Sequence, residues 1–103
     1  MIVVTVTYPA SETSRFDLDY YRNAHLPLVC ARWAAFGLQR ARFLRGTAVP
    51  GGGPLATHLT ALLYFASEQD FQRAVEQHGR EIMGDIKNFT DVRPTVQLNE
   101  EFE

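Results

Sequence analysis

Residues 2–8 read IVVTVTY, with Ile2, Val4, Val6 and Tyr8 on one face of an extended chain and Val3, Thr5 and Thr7 on the other. A period of two and β-branched side chains predict a strand. Its second face is less apolar but uncharged, which fits a strand with helices on one side and a semi-polar cavity on the other. A polar loop follows from Pro9 to Ser14. The spacing of Leu18, Tyr21, His25, Leu28, Arg32 and Phe36 is helical, with Asp17 placed as N-cap, Asp19 in the first turn and Gly37 as the stop. Pro27 lies inside this helix. It removes an amide donor and presses on the carbonyl of Asn23, which predicts a kink or break near Ala24–Leu26.

Gln39–Gly46 alternates, and its arginines predict an edge strand. Gly51-Gly52-Gly53 sits between two prolines and reads as a hairpin connection, because a strand follows rather than the helix that a phosphate loop requires. That strand, Thr57–Ala66, is apolar on both faces and therefore central. Ser67 starts a second helix, with Asp70 completing a weak capping box and Phe71, Val75, His78, Ile82 and Ile86 as its stripe. Gly79 and Gly84 loosen its end. Thr90–Leu98 alternates again, and Pro94 confines it to a sheet edge. The order βαββαβ, with right-handed crossovers, predicts an α+β ferredoxin-like fold. Four antiparallel strands would carry both helices on one face, in a single domain spanning residues 1–103.

The uncovered sheet face, with Val3 and Thr5 on it, predicts a homodimer in which two sheets close face to face into an α+β barrel around a cavity. Composition agrees with a small globular domain: 103 residues, 46% hydrophobic and 21% charged. A net charge of -2 without a basic stripe excludes the electrostatic footprint of a nucleic-acid binder. No apolar run approaches the roughly 20 residues of a membrane span. The single cysteine, Cys30, allows no internal disulfide and is expected to pack as a small hydrophobe. The chain starts on a strand with no signal-peptide pattern, so a cytoplasmic location is expected.

Three histidines are the candidates for chemistry. His25 stands two residues before Pro27, among Tyr20, Tyr21 and Asn23. It can act as acid or base near neutral pH, or it can satisfy backbone freed by Pro27. His78 falls on the buried stripe of the second helix and reads as a core residue; His58 opens a strand and reads as exposed. No HxH, HxxxH or CxxC pair exists, so no metal site is expected, and a Cys30–His25 nucleophile pair has a poor helical spacing. The segment from Asp85 to Asp91 holds Asp, Asn, Thr and Asp, and reads either as turn chemistry or as a polar rim that positions a ligand.

Two stretches resemble the EthD family. Phe16-Asp17-Leu18-Asp19-Tyr20-Tyr21 with His25-Leu26-Pro27-Leu28 is similar to its first-helix signature. Glu81-Ile82-Met83-Gly84-Asp85-Ile86-Lys87-Asn88-Phe89-Thr90-Asp91 is similar to its second motif, with Lys87 where proline is commoner, and Tyr8-Pro9 fits as well. The resemblance implies a ferredoxin-like protomer in a dimeric α+β barrel, and a family often labelled reductase or oxidoreductase. The wider superfamily includes polyketide cyclases, lactone isomerases, cofactor-free monooxygenases and haem-handling proteins. The family's first-motif histidine maps onto His25.

The expectation is a homodimeric enzyme that needs no cofactor and binds a hydrophobic aromatic or polyketide-like compound. His25 would move a proton, while Tyr20, Tyr21, Tyr64, Asp85 and Asn88 orient the substrate. The alternatives are a non-catalytic carrier using the same cavity, and haem handling with His25 or His78 as axial ligand.

Overall fold

The computed structural model describes residues 1–102. Strands β1 (Ile2–Pro9), β2 (Leu38–Arg45), β3 (Thr57–Phe65) and β4 (Thr95–Asn99) form one antiparallel sheet in the order β2-β3-β1-β4. The apolar strands β1 and β3 are central. The arginine-bearing β2 and the proline-led β4 are the edges, as their sequences predict. The last strand is shorter than its alternation implies: Thr90 makes only an isolated bridge to Phe16, and pairing starts after Pro94. Pro94 has no amide to donate, and Asp91 is drawn away to accept from the Arg15 amide at 2.9 Å.

The helical run between β1 and β2 opens at Asp17, whose carboxylate accepts from the Tyr20 amide at 3.1 Å. It comprises α1 (Leu18–Tyr20), a π turn (Tyr21–His25), α2 (Leu26–Trp33) and a 3-10 turn (Ala34–Phe36). Of the kink or break expected near Ala24–Leu26, the chain shows no break but an interruption of the α-helical ladder by a π turn. Backbone angles stay helical at His25 (φ -70, ψ -48) and Leu26 (φ -61, ψ -44). What changes is the ladder: the Leu26 amide donates to the carbonyl of Tyr21, five residues back. The widened turn gives the Pro27 ring room that a regular helix denies it. It also keeps Tyr21 and His25 both facing inward and buried. Gly37 stops the run at φ 93, where a Cβ would lie 2.6 Å from Asp70 Oδ2, so both backbone and space require glycine.

Helix α3 (Glu68–Asp85) is capped by Ser67, whose hydroxyl accepts from the Asp70 amide at 3.1 Å. The Asp70 carboxylate pairs with Arg73 at 2.9 Å. The buried stripe is rotated from the one expected: Ala74, Gly79, Ile82 and, just beyond the helix, Ile86 are buried, whereas Val75 is exposed. A Cβ at Gly79 would meet only Val75 of its own helix, while small Ala74 lies against α2, where the Trp33 indole donates to the Ala74 carbonyl at 2.9 Å. This turns His78 out of the core to the rim, against the Phe36 ring and 3.8 Å from Glu81.

Both helices pack on the face carrying Val4, Tyr8, Leu59, Leu63 and Phe65, the centre of the core. Their cover stops short of β4, where Val96 (43% exposed) and Leu98 (40%) oppose Val6 and Val4. The other face carries Val3, Thr5 and Thr7 opposite Tyr64, Leu62 and Thr60, with Arg40, Arg42 and Leu44 beyond them. No helix among the described residues is long and apolar enough to cross a membrane.

Candidate active site

Residues from the helical run and from the end of α3 meet over the core. His25 is 3% exposed and its Nδ1 lies 2.9 Å from Asp85 Oδ2. The Tyr20 hydroxyl donates to Asp85 Oδ1 at 2.6 Å, and the Asn88 amide donates to the same oxygen at 2.9 Å. The carboxylate thus has three side-chain donors. The imidazole stacks on Tyr21 (centroids 5.4 Å apart) and leans on Phe89 (4.6 Å). Backbone contacts lock the two segments together: the Asp17 amide donates to the Phe89 carbonyl at 2.7 Å, and the Thr90 hydroxyl to the Arg15 carbonyl at 2.6 Å. The polar segment 85–91 therefore divides its labour. Asp85 faces His25 and Asn88 holds Asp85, while Thr90 and Asp91 tie the segment to Arg15.

The electrostatics set the protonation states. Burial lowers the His25 pKa below its ordinary 6.5, and the hydrogen bond to Asp85 opposes this without cancelling it. Burial raises the Asp85 carboxyl, but the bonds from Tyr20, Asn88 and His25 outweigh it and hold the group below 3.8. Hydrogen bonding to Asp85 raises the Tyr20 hydroxyl. At neutral pH the site is a carboxylate facing a neutral imidazole. Asp85 only accepts, so the His25 proton sits on Nδ1 and the lone pair on Nε2.

His25 lines a cavity of ≈ 320 Å³ between the sheet and the helices, with Val6, Phe43, Leu63, Trp33, Ile82 and Ile86 among its apolar walls. This is the low end of the size range of ligand pockets, about 300–1,000 Å³. The sequence reading places the cavity on the open sheet face. Within one protomer the structure forms a cavity on the helix face. The exposed apolar side chains Val75, Met83 and Val96 stand at its wall beside the uncovered β4.

Four expected residues, Tyr20, Tyr21, Asp85 and Asn88, gather around His25, and the fifth does not. Tyr64 alternates with Leu63 and Phe65, so it points to the opposite face, where Arg40 stacks on its ring at 4.5 Å. It lines a separate cleft with Met1, Gln39 and Glu101. His78 stays outside the cavity walls, and Cys30 is exposed rather than packed. Among the described residues, no group of three or more His, Cys, Asp or Glu side chains could hold a metal ion. His58 is half-buried rather than exposed and stays outside the cavity walls: its Nε2 lies 2.8 Å from the Ser14 hydroxyl, and its ring stacks on Phe16. Tyr8 was missed as a site residue. It lines the cavity at 2% exposure and packs edge-on against Tyr21. The signal was its place on the apolar face of β1 at the strand's end.

Comparisons with known proteins bear on the family and the fold. The EthD domain profile matches residues 10–93. An EthD-like protein from Ralstonia eutropha JMP134 shares 37% identity and a TM-score of 0.89, over 96% of this chain and 89% of that one. A dimeric ferredoxin-like protein from an uncultured marine organism has 13% identity and a TM-score of 0.62, over 100% and 99% of the chains. SnoaB, a cofactor-independent oxygenase from Streptomyces nogalater, has 18% identity and a TM-score of 0.57, over 99% and 91%. The last two likenesses show the fold. No curated protein matches significantly.

Proposed function

The chain belongs to the EthD domain family, and we propose that it is a small-molecule enzyme in which His25 moves a proton within the helix–sheet cavity. One observation carries the reading: a buried imidazole held at Nδ1 by a carboxylate, on the wall of an otherwise apolar cavity. Asp85 fixes the tautomer and stabilises the imidazolium that forms when Nε2 takes a proton. Tyr20 and Asn88 hold Asp85. The apolar walls favour a hydrophobic, aromatic or polyketide-like compound and exclude water from the exchange. Side chains alone supply this chemistry, and SnoaB, of the same fold, acts without a cofactor. This favours proton transfer over the family's reductase label.

The assembly we favour is a homodimer through the open sheet face, as one dimeric neighbour of this fold supports. The exposed, unpaired Cys30 fits a reducing cytoplasmic location. Nothing favours the haem alternative, because His78 is outside the cavity and His25 faces a small one.

The test is exchange of the acidic C–H protons of 2-tetralone in D2O, followed by NMR. The wild type should accelerate exchange, and His25→Ala should lose about 10²–10⁴-fold of that acceleration. Binding of 2-tetralone with no acceleration would make the protein a carrier and overturn catalysis.

A further inference from the structure

The cavity holds two further polar groups that proton transfer by His25 does not use. Tyr8 and Tyr21 line it at 2% exposure each, with their rings 5.9 Å apart in an edge-on pair. Neither hydroxyl makes a hydrogen bond within the protein among the described residues, yet no side-chain oxygen or nitrogen is fully buried and unpaired. Each hydroxyl therefore retains a little accessible surface, and both residues line the cavity, Tyr21 lining an outer cleft with Arg22 and Arg45 as well. Burial raises both phenols well above their ordinary 10.0, the Tyr21 phenol being pushed further by Tyr8, so both stay protonated donors. Tyr21 also stacks on the His25 ring.

We propose that Tyr8 and Tyr21 form an oxyanion-binding pair beside the His25 base, and that the substrate is an apolar ring compound bearing a carbonyl whose oxygen becomes enolic or phenolic in the reaction. A hydrocarbon would leave two buried hydroxyls unpaired, whereas an oxygen on the ring system satisfies them. In the step this supports, a C–H bond next to a carbonyl breaks and its proton goes to His25 Nε2. The electron pair moves into the carbonyl group, and the enolate oxygen accepts from the two tyrosines. The proton then returns from Nε2 to carbon, so the balance closes with no other reactant. The inference rests on the proposed ligand cavity and deepens it.

The probes are naphthalene and 2-naphthol, measured by calorimetric titration on wild type, Tyr8→Phe and Tyr21→Phe. Phenylalanine keeps the ring packing, and thermal melts confirm the fold of each variant. Wild type should bind 2-naphthol more tightly than naphthalene, and each variant should weaken 2-naphthol roughly three- to tenfold while leaving naphthalene unchanged. Equal binding of the two probes by wild type, or no effect of either variant, would overturn the oxyanion pair and leave an apolar ligand site standing. Binding of neither probe would overturn the ligand cavity itself, and the pair with it.

Discussion

Replacing Asp85 by asparagine removes one negative charge and almost no volume. The native carboxylate accepts from Tyr20 at 2.6 Å, Asn88 at 2.9 Å and His25 at 2.9 Å, and its side chain is only 14% exposed. An amide keeps one acceptor oxygen but turns two N–H donors toward groups that are themselves donors. The imidazole can relieve the conflict by moving its proton to Nε2, so that Nδ1 accepts from the new amide. Stability then falls by about one charged hydrogen bond, roughly 1.5–3 kcal/mol. For a domain of this size that lowers Tm by about 6–24 °C. The functional loss follows from the tautomer: with a proton on Nε2 there is no lone pair toward the cavity, and exchange of 2-tetralone protons should fall by about 10²–10⁴. Circular dichroism melts and the exchange assay read the two halves separately. Exchange within about twofold of wild type, in a variant whose Tm has dropped, would refute Asp85 as the tautomer-setting partner. An unchanged Tm would refute the strength assigned to its hydrogen bonds.

Three further outcomes follow from the same contacts. His25 has a folded pKa below 6.5, so the unfolded chain binds more protons; its contribution to stability is present above pH 6.5 and is lost as pH falls through the folded value. Melts between pH 5 and 7 should show this rise in wild type and a flatter profile in His25→Gln. Pro27→Ala should lose about 0.4–1 kcal/mol by freeing the unfolded chain, with the 1H–15N spectrum of the site little changed; a larger loss would mean that the proline itself holds the π turn. Gly37→Ala combines a left-handed backbone with a clash at Asp70 and should cost at least about 1–2 kcal/mol in chemical denaturation.

The fold was legible because period-two and period-3.6 patterns hardly overlap along this chain, and because prolines and arginines marked both sheet edges. Its errors share one origin. Pro27 violates a local helix rule, and the chain answers with a wider turn rather than a break, a choice set by the packing of Tyr21 and His25. His78 obeys the helical stripe, but the contact of Ala74 with Trp33 of α2 rotates that stripe. The candidate site was half legible. The motif around His25 and the motif around Asp85 each stand out, and the structure joins them across the fold. Tyr64 and Tyr8 both lie on predicted strands, and strand alternation alone separates them: Tyr64 shares a face with Val3, Tyr8 with Val4. What no single segment could reveal is that the cavity opens on the helix face, because it arises from the gap that α2 and α3 leave over β1 and β4.

The central claim is a neutral His25 with its proton on Nδ1 and a bare Nε2 facing the cavity. Long-range 1H–15N correlation of the imidazole, recorded through a pH titration, reads this directly. The account predicts the Nδ1–H tautomer at pH 7, a pKa below 6.5, and collapse of that tautomer preference in Asp85→Asn. A proton on Nε2 at neutral pH, or a His25 pKa above 6.5, would contradict it.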